Sequence, residues 1–197
     1  MGDIDGGTGP RRKTALLAME LARYSIDFAA LSETRLSGEG SISEGDQRDG
    51  YTIFWRGYPE GHPRQHGVGL AVRNCHLRNI EEEPSYISER LMTLRVPLAN
   101  NEHMTLICAY APTLTAEEHI KDNFYEELDE ALRSVNARDK IILLGDFNAR
   151  VGRRSDLWNA IGGKINANGL RLLSLCSEHD LIITNTLFRF KTIHKTS

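Results

Sequence analysis

The chain has 197 residues, 40% of them hydrophobic, and a formal net charge of −3, which is enough apolar material for one core and makes a single domain the default. Its mildly acidic balance excludes a strongly basic nucleic-acid binder as a reading of composition alone. No run of eighteen apolar residues suggests a membrane span, and no N-terminal apolar segment suggests secretion.

Residues 1–10 hold four glycines and a proline and read as a disordered leader, leaving 11–197 as the domain. From Arg12 to Tyr24 the spacing predicts a helix with Leu17, Leu21 and Tyr24 on one face. It leads into the apolar run Ile26–Leu31, a strand ending near the lone acid Glu33. Ser37–Gly50 reads as a polar loop, Tyr51–Trp55 as a short strand, and Gly57–Gly67 as a second loop with His62 and His66 exposed. Gly67–Val72 is a strand whose glycines permit close backbone approach.

Arg90–Leu98 and Met104–Tyr110 form a predicted hairpin around residues 99–102. Thr115-Ala116-Glu117-Glu118 has the form of a capping box, and the amphipathic pattern after it runs to Arg133. The aliphatics Ile141–Leu144 predict a strand buried on both faces. A long loop from Arg150 to Ala167 carries Trp158, read as a loop-packing residue or a base-stacking one. Asn168 is the expected N-cap of a helix through Glu178, with Leu172, Leu175 and Cys176 inward, and Leu181–Thr184 is a further strand. Three cysteines without a Cys-x-x-Cys or zinc spacing predict reduced thiols and a place inside the cell, nuclear or cytoplasmic. Cys108 and Cys176 fall in core patterns.

The chemistry concentrates where strands end. After Ile141–Leu144 the chain continues Gly145-Asp146-Phe147-Asn148, delivering a carboxylate and a carboxamide together at a sheet edge. The carboxylate can orient water or hold a divalent cation, and the amide can donate to a phosphoryl oxygen. Alternatively, both side chains only cap backbone groups of a turn. Glu33, at a second strand tip, is a natural metal ligand, and Tyr110, held extended before Ala111-Pro112, can hydrogen-bond a phosphate. Arg150, Arg153 and Arg154 follow the Asp146 loop and either touch phosphates or form a solvated basic face.

The segments LSETR, CAYAP and LLGDFNARVG, in this order and spacing, resemble the endonuclease/exonuclease/phosphatase superfamily, and within it the endonuclease domains of non-LTR retrotransposons and the craniofacial development protein 2-like proteins. The resemblance implies a four-layer α/β sandwich of two mixed sheets flanked by helices. It matches Glu33 to a metal-binding glutamate and Tyr110 to a tyrosine beside the scissile phosphate. Asp146 matches the aspartate that orients or deprotonates water, and Asn148 the asparagine that contacts phosphate. Mg²⁺ or Mn²⁺ is the implied cofactor, DNA the implied partner, and a reverse transcriptase an expected downstream neighbour in an intact gene. The family pattern also holds an asparagine on a first strand and a closing Asp-His pair. Neither has a counterpart here, so the expected sandwich is incomplete at both termini. Two other functions stay open: an inactive remnant used as a binding or structural module, and a phosphatase of small or lipid phosphates.

Overall fold

The computed structural model describes residues 10–78, 80, 82–152 and 165–184. Two four-stranded sheets pack face to face. The first is built from β1 (Phe28–Ser32), β2 (Glu39–Glu44), β3 (Tyr51–Arg56) and β4 (Val68–Arg73), in the order β1-β4-β3-β2 and antiparallel throughout. The second holds β5 (Ser85–Ser88), β6 (Leu91–Pro97), β7 (His103–Tyr110) and β8 (Lys140–Asp146) in chain order, with β7 and β8 parallel.

Strand periodicity explains the layers. Alternate residues face opposite sides of a strand, so Val68, Leu70 and Val72 of β4 meet Met92, Leu94, Met104, Leu106 and Cys108 of the second sheet in a core between the sheets. The intervening residues Leu91, Ile107 and Ala109 face outward, where Phe124, Leu128 and Leu132 of helix α3 (Glu118–Ser134) cover them together with Leu175 of α4 (Ala167–Glu178). On the other side, Ala18 and Leu21 of α1 (Pro10–Arg23) cover Tyr51, Ile53 and Ala71. Each side chain buried as completely as Leu70 or Leu106 contributes about 1.5–3 kcal/mol of transfer free energy. The expected four-layer sandwich is therefore present, and Cys108 lies in its centre with its thiol donating to the Gly69 carbonyl at 3.0 Å. Burial pushes that thiol up to about 12.

Several local expectations are corrected. The strand buried on both faces is β7, not β8: among the described residues β8 pairs only with β7, and Ile142 is 40% exposed. Ser37–Gly50 is not all loop, because Glu39–Glu44 pairs along β3 as an edge strand with Ile42 as its apolar contact. The helix after Thr115 begins at Glu118 without a side-chain cap, and the Thr115 hydroxyl pairs with that of Thr113 at 3.1 Å. Tyr24 is exposed just past α1. Leu181–Ile183 forms no ladder, and Ile182 is 72% exposed. Residues 1–9, Trp158 and the segment from Asn185 onward lie outside the described residues, as do Arg153 and Arg154. Among the described residues, no helix is long and apolar enough to cross a membrane.

Candidate active site

Tyr110 and Asp146 end neighbouring parallel strands and are register partners. Tyr110 continues the row Met104, Leu106, Cys108 that faces the other sheet, so its phenol reaches across the sandwich. Its hydroxyl donates to Glu33 Oε1 at 2.8 Å, joining residues 77 apart in sequence. Glu33 sits one residue beyond β1 with φ +55°, a left-handed conformation that an L-residue holds only when its surroundings impose it. The other carboxylate oxygen accepts from Arg35 Nη2 at 3.0 Å in an exposed ion pair.

These contacts fix the protonation pattern. The Tyr110 hydrogen bond, then Arg35, holds the Glu33 carboxyl below the usual range. Burial, then the bond to Glu33, raises the Tyr110 pKa, with Asp146 adding a smaller push. The pair is thus a carboxylate accepting from a neutral phenol. The Arg90 guanidinium lies 5.3 Å from the Tyr110 ring centroid, and its Nη1 donates to the Tyr110 carbonyl at 3.2 Å. The His66 ring packs 6.0 Å from the same ring. Desolvation, then Arg90, lowers its pKa, so the imidazole is neutral at pH 7.

Gly145 gives the strand end its shape. At φ +141°, a Cβ there would stand 1.8 Å from the Ala109 carbonyl oxygen, so only glycine lets β8 run this close to β7. Beyond it, Asp146 Oδ1 accepts the Asn148 N–H at 2.9 Å. Asn148 adopts φ +48° and sends its amide Nδ2 to the Ala111 carbonyl at 2.9 Å. The alternative in which both side chains cap backbone groups therefore describes real contacts of this turn. It leaves Asp146 Oδ2 without a protein donor among the described residues.

The start of α4 braces the loop. Asn166, not Asn168, is the N-cap: its Oδ1 accepts from the Gly169 N–H at 2.7 Å and from the Arg150 N–H at 3.0 Å. Asn168 lies in the first turn and is fully buried. Its displacement from the expected cap comes from two asparagines two apart, either of which satisfies the capping preference. Arg150 is exposed.

A model of the Endonuclease/Exonuclease/phosphatase family matches residues 4–193. The chain belongs to the endonuclease/exonuclease/phosphatase family. It is similar to craniofacial development protein 2 of Bos taurus, at 32% identity over 180 residues covering 90% of this chain and 29% of that protein. A second similar protein is craniofacial development protein 2 of Tragulus javanicus, at 31% identity over 90% of this chain and 30% of the relative. The chain thus spans about three-tenths of the length of these relatives. The family hydrolyses phosphodiester bonds and generally depends on a divalent metal.

The tip of β1 in this family member suits such a metal. Glu33 is ionised, its side chain is half exposed, and among the described residues its Oε2 is held by the exposed Arg35 alone. Small hard cations bind through one or two carboxylates and complete their shell with water and phosphate oxygens. A different group, Asp129, Glu178 and His179, also brings ligand atoms within 4.8 Å of one another. Arg133 donates to both acids and His179 bonds Asp129 at 2.7 Å, so its charges are already paired. It lies at the C-terminal end of α4, about 18 Å along the helix from the end that braces Asp146.

Sequence reasoning placed Glu33, Tyr110, Asp146 and Asn148 at strand tips, and the fold brings these tips together. It missed Arg90 and His66. His66, expected to be exposed, is half-buried against Tyr110 because its loop folds back on the β1 tip, where its carbonyl accepts the Arg35 N–H at 2.9 Å. Nothing local in a Gly/Pro/His loop signals that approach.

Proposed function

We propose that this chain is a Mg²⁺- or Mn²⁺-dependent phosphodiesterase domain that nicks DNA. The observation that carries the reading is the convergence of Glu33 from one sheet with Tyr110 and Asp146 from the other, tied by the Tyr110–Glu33 hydrogen bond. Glu33 would hold the cation, which when bound would supply neutralisation of phosphate charge and stabilisation of the leaving oxygen. Asp146, with Oδ1 anchored by the Asn148 N–H, presents its other oxygen to a water and takes its proton during in-line attack. Tyr110, kept neutral by burial and by Glu33, has a single O–H, which turns from Glu33 to a phosphoryl oxygen when substrate arrives. The second N–H of the Asn148 amide, not used on Ala111, does the same. Arg150, Arg153 and Arg154 contact the flanking backbone.

An origin among non-LTR retrotransposon endonucleases and a reverse transcriptase encoded nearby belong to the same proposal and rest on LSETR, CAYAP and LLGDFNARVG; an intracellular location, nuclear or cytoplasmic, is proposed from the free cysteines Cys75, Cys108 and Cys176. One observation favours the alternative of an inactive binding module: the Asn148 and Asp146 side chains are both engaged with backbone groups. Supercoiled plasmid, a double-stranded oligonucleotide and a panel of small and lipid phosphomonoesters, each incubated with Mg²⁺ and with a chelator, separate these readings. Nicking that needs metal supports the proposal. Turnover of the monoesters alone assigns a phosphatase, and binding of DNA without cleavage assigns a module.

A further inference from the structure

Asn168 makes an unusual set of contacts. Its side chain is fully buried and its Nδ2 faces three backbone carbonyls: Pro112 at 2.8 Å, Phe147 at 3.3 Å and Asn148 at 3.4 Å. The first belongs to the segment leaving Tyr110 and the others to the loop leaving Asp146. A flipped amide would set an oxygen against three oxygens, so the donor orientation is the one the surroundings require. Its Oδ1 is then buried without a partner, a cost that an ordinary helix residue would avoid. Asn166 adds a donor from the same helix end, with Nδ2 to the Asn148 carbonyl at 3.1 Å. Gly169 lets the helix seat: a Cβ there would stand 2.0 Å from the Arg150 carbonyl oxygen.

We infer that Asn168 is the positioning residue of the phosphodiesterase site, clamping the exits of β7 and β8 so that Asp146 and Asn148 hold their geometry relative to Tyr110. The inference rests on the function proposed above for its catalytic readout, but the clamp itself has a readout without catalysis. Asn148 keeps its left-handed backbone, and its N–H stays on Asp146 Oδ1, only while its carbonyl is held by the two asparagines. The Ala111 N–H, which donates to the Asp146 carbonyl at 2.8 Å, is held by the same clamp. Asn168 reaches no substrate itself, so its loss misplaces catalytic groups rather than removing one.

The test uses the full chain with Asn168→Asp, which keeps the shape and removes the donors, and Asn166→Ser, which keeps a capping hydroxyl for Gly169 but drops the bond to Asn148. Amide hydrogen exchange reads the clamp directly. Asn148 and Ala111 are expected to lose protection in both variants, more in Asn168→Asp, while Leu106 and Ile107 of β7 keep theirs. Steady-state nicking is expected to show kcat lowered about 10- to 100-fold in Asn168→Asp with KM within about twofold, the pattern of misplaced groups. Unchanged protection of both amides in the two variants overturns the inference, whether or not the chain cleaves DNA. Lost protection with unchanged kcat in an active enzyme also overturns it. If the wild-type chain cleaves nothing, the hydrolase reading fails by itself and the exchange result alone decides whether Asn168 sets the loop.

Discussion

Replacing Gly145 by alanine tests the idea that the close approach of β7 and β8 builds the site. The new Cβ would stand 1.8 Å from the Ala109 carbonyl oxygen and 2.8 Å from its carbon. Ordinary contact therefore requires a retreat of about 1.5 Å between backbones that also pair Tyr110 with Asp146. Over-packing of this kind costs about 1–3 kcal/mol, and the φ of +141° adds strain of about 1–3 kcal/mol for a side chain that lacks glycine's freedom. The sum, about 2–6 kcal/mol, corresponds to a fall in Tm of roughly 4–24 °C for a domain of this size. Gly38→Ala is the control, since φ there is also positive but no atom lies within 4 Å; it is expected to lose about 1–2 kcal/mol. Thermal and urea unfolding of both variants supply the comparison. A Gly145→Ala protein no less stable than Gly38→Ala would refute the reasoning.

Other perturbations separate stability from chemistry. Tyr110→Phe removes the largest influence on Glu33, so the Glu33 carboxyl is expected to titrate at higher pH in a carbon-detected NMR titration; an unmoved titration contradicts the Tyr110–Glu33 bond. Asp139 accepts from Arg95 and Thr105, which lower its pKa in that order. A depressed folded-state pKa adds stability that is fully present above the ordinary value of 3.8 and is lost as pH falls through the folded value. Asn at position 139 is therefore expected to flatten the acid limb of a stability–pH curve below about pH 4, and an unchanged limb argues against that network.

Much of the fold was legible because its core strands carry dense apolar patterns. Met104–Cys108 packs on both faces, Leu91–Val96 sets a fully buried row of Met92, Leu94 and Val96 against half-buried Thr93 and Arg95, and the sequence marks both strands strongly. The edge strands carry little such information. Glu39–Glu44 offers only Ile42 to the core, and Ser85–Ser88 is four residues long with an irregular register, so pairing rather than local preference creates them. The opposite error occurred at Leu181–Ile183, where an apolar run has no ladder. At the site, strand tips could be identified from Glu33, Tyr110 and Asp146 because an acid or phenol follows an apolar run. The roles of Arg90, His66 and Asn168 arise from contacts between segments 20 or more residues apart, and no local motif announces them.

The central claim is that Asp146 activates water at a metal-loaded strand tip. Its most direct test is the rate of nicking of supercoiled plasmid in Mg²⁺ by the wild-type chain and by Asp146→Ala, with circular dichroism of both to show equal folding. The account predicts metal-dependent nicking that falls by about 10²- to 10⁴-fold in the variant, the usual range for losing a general base. Equal rates in the two folded proteins, or no nicking by the folded wild type with Mg²⁺ or Mn²⁺, would contradict it.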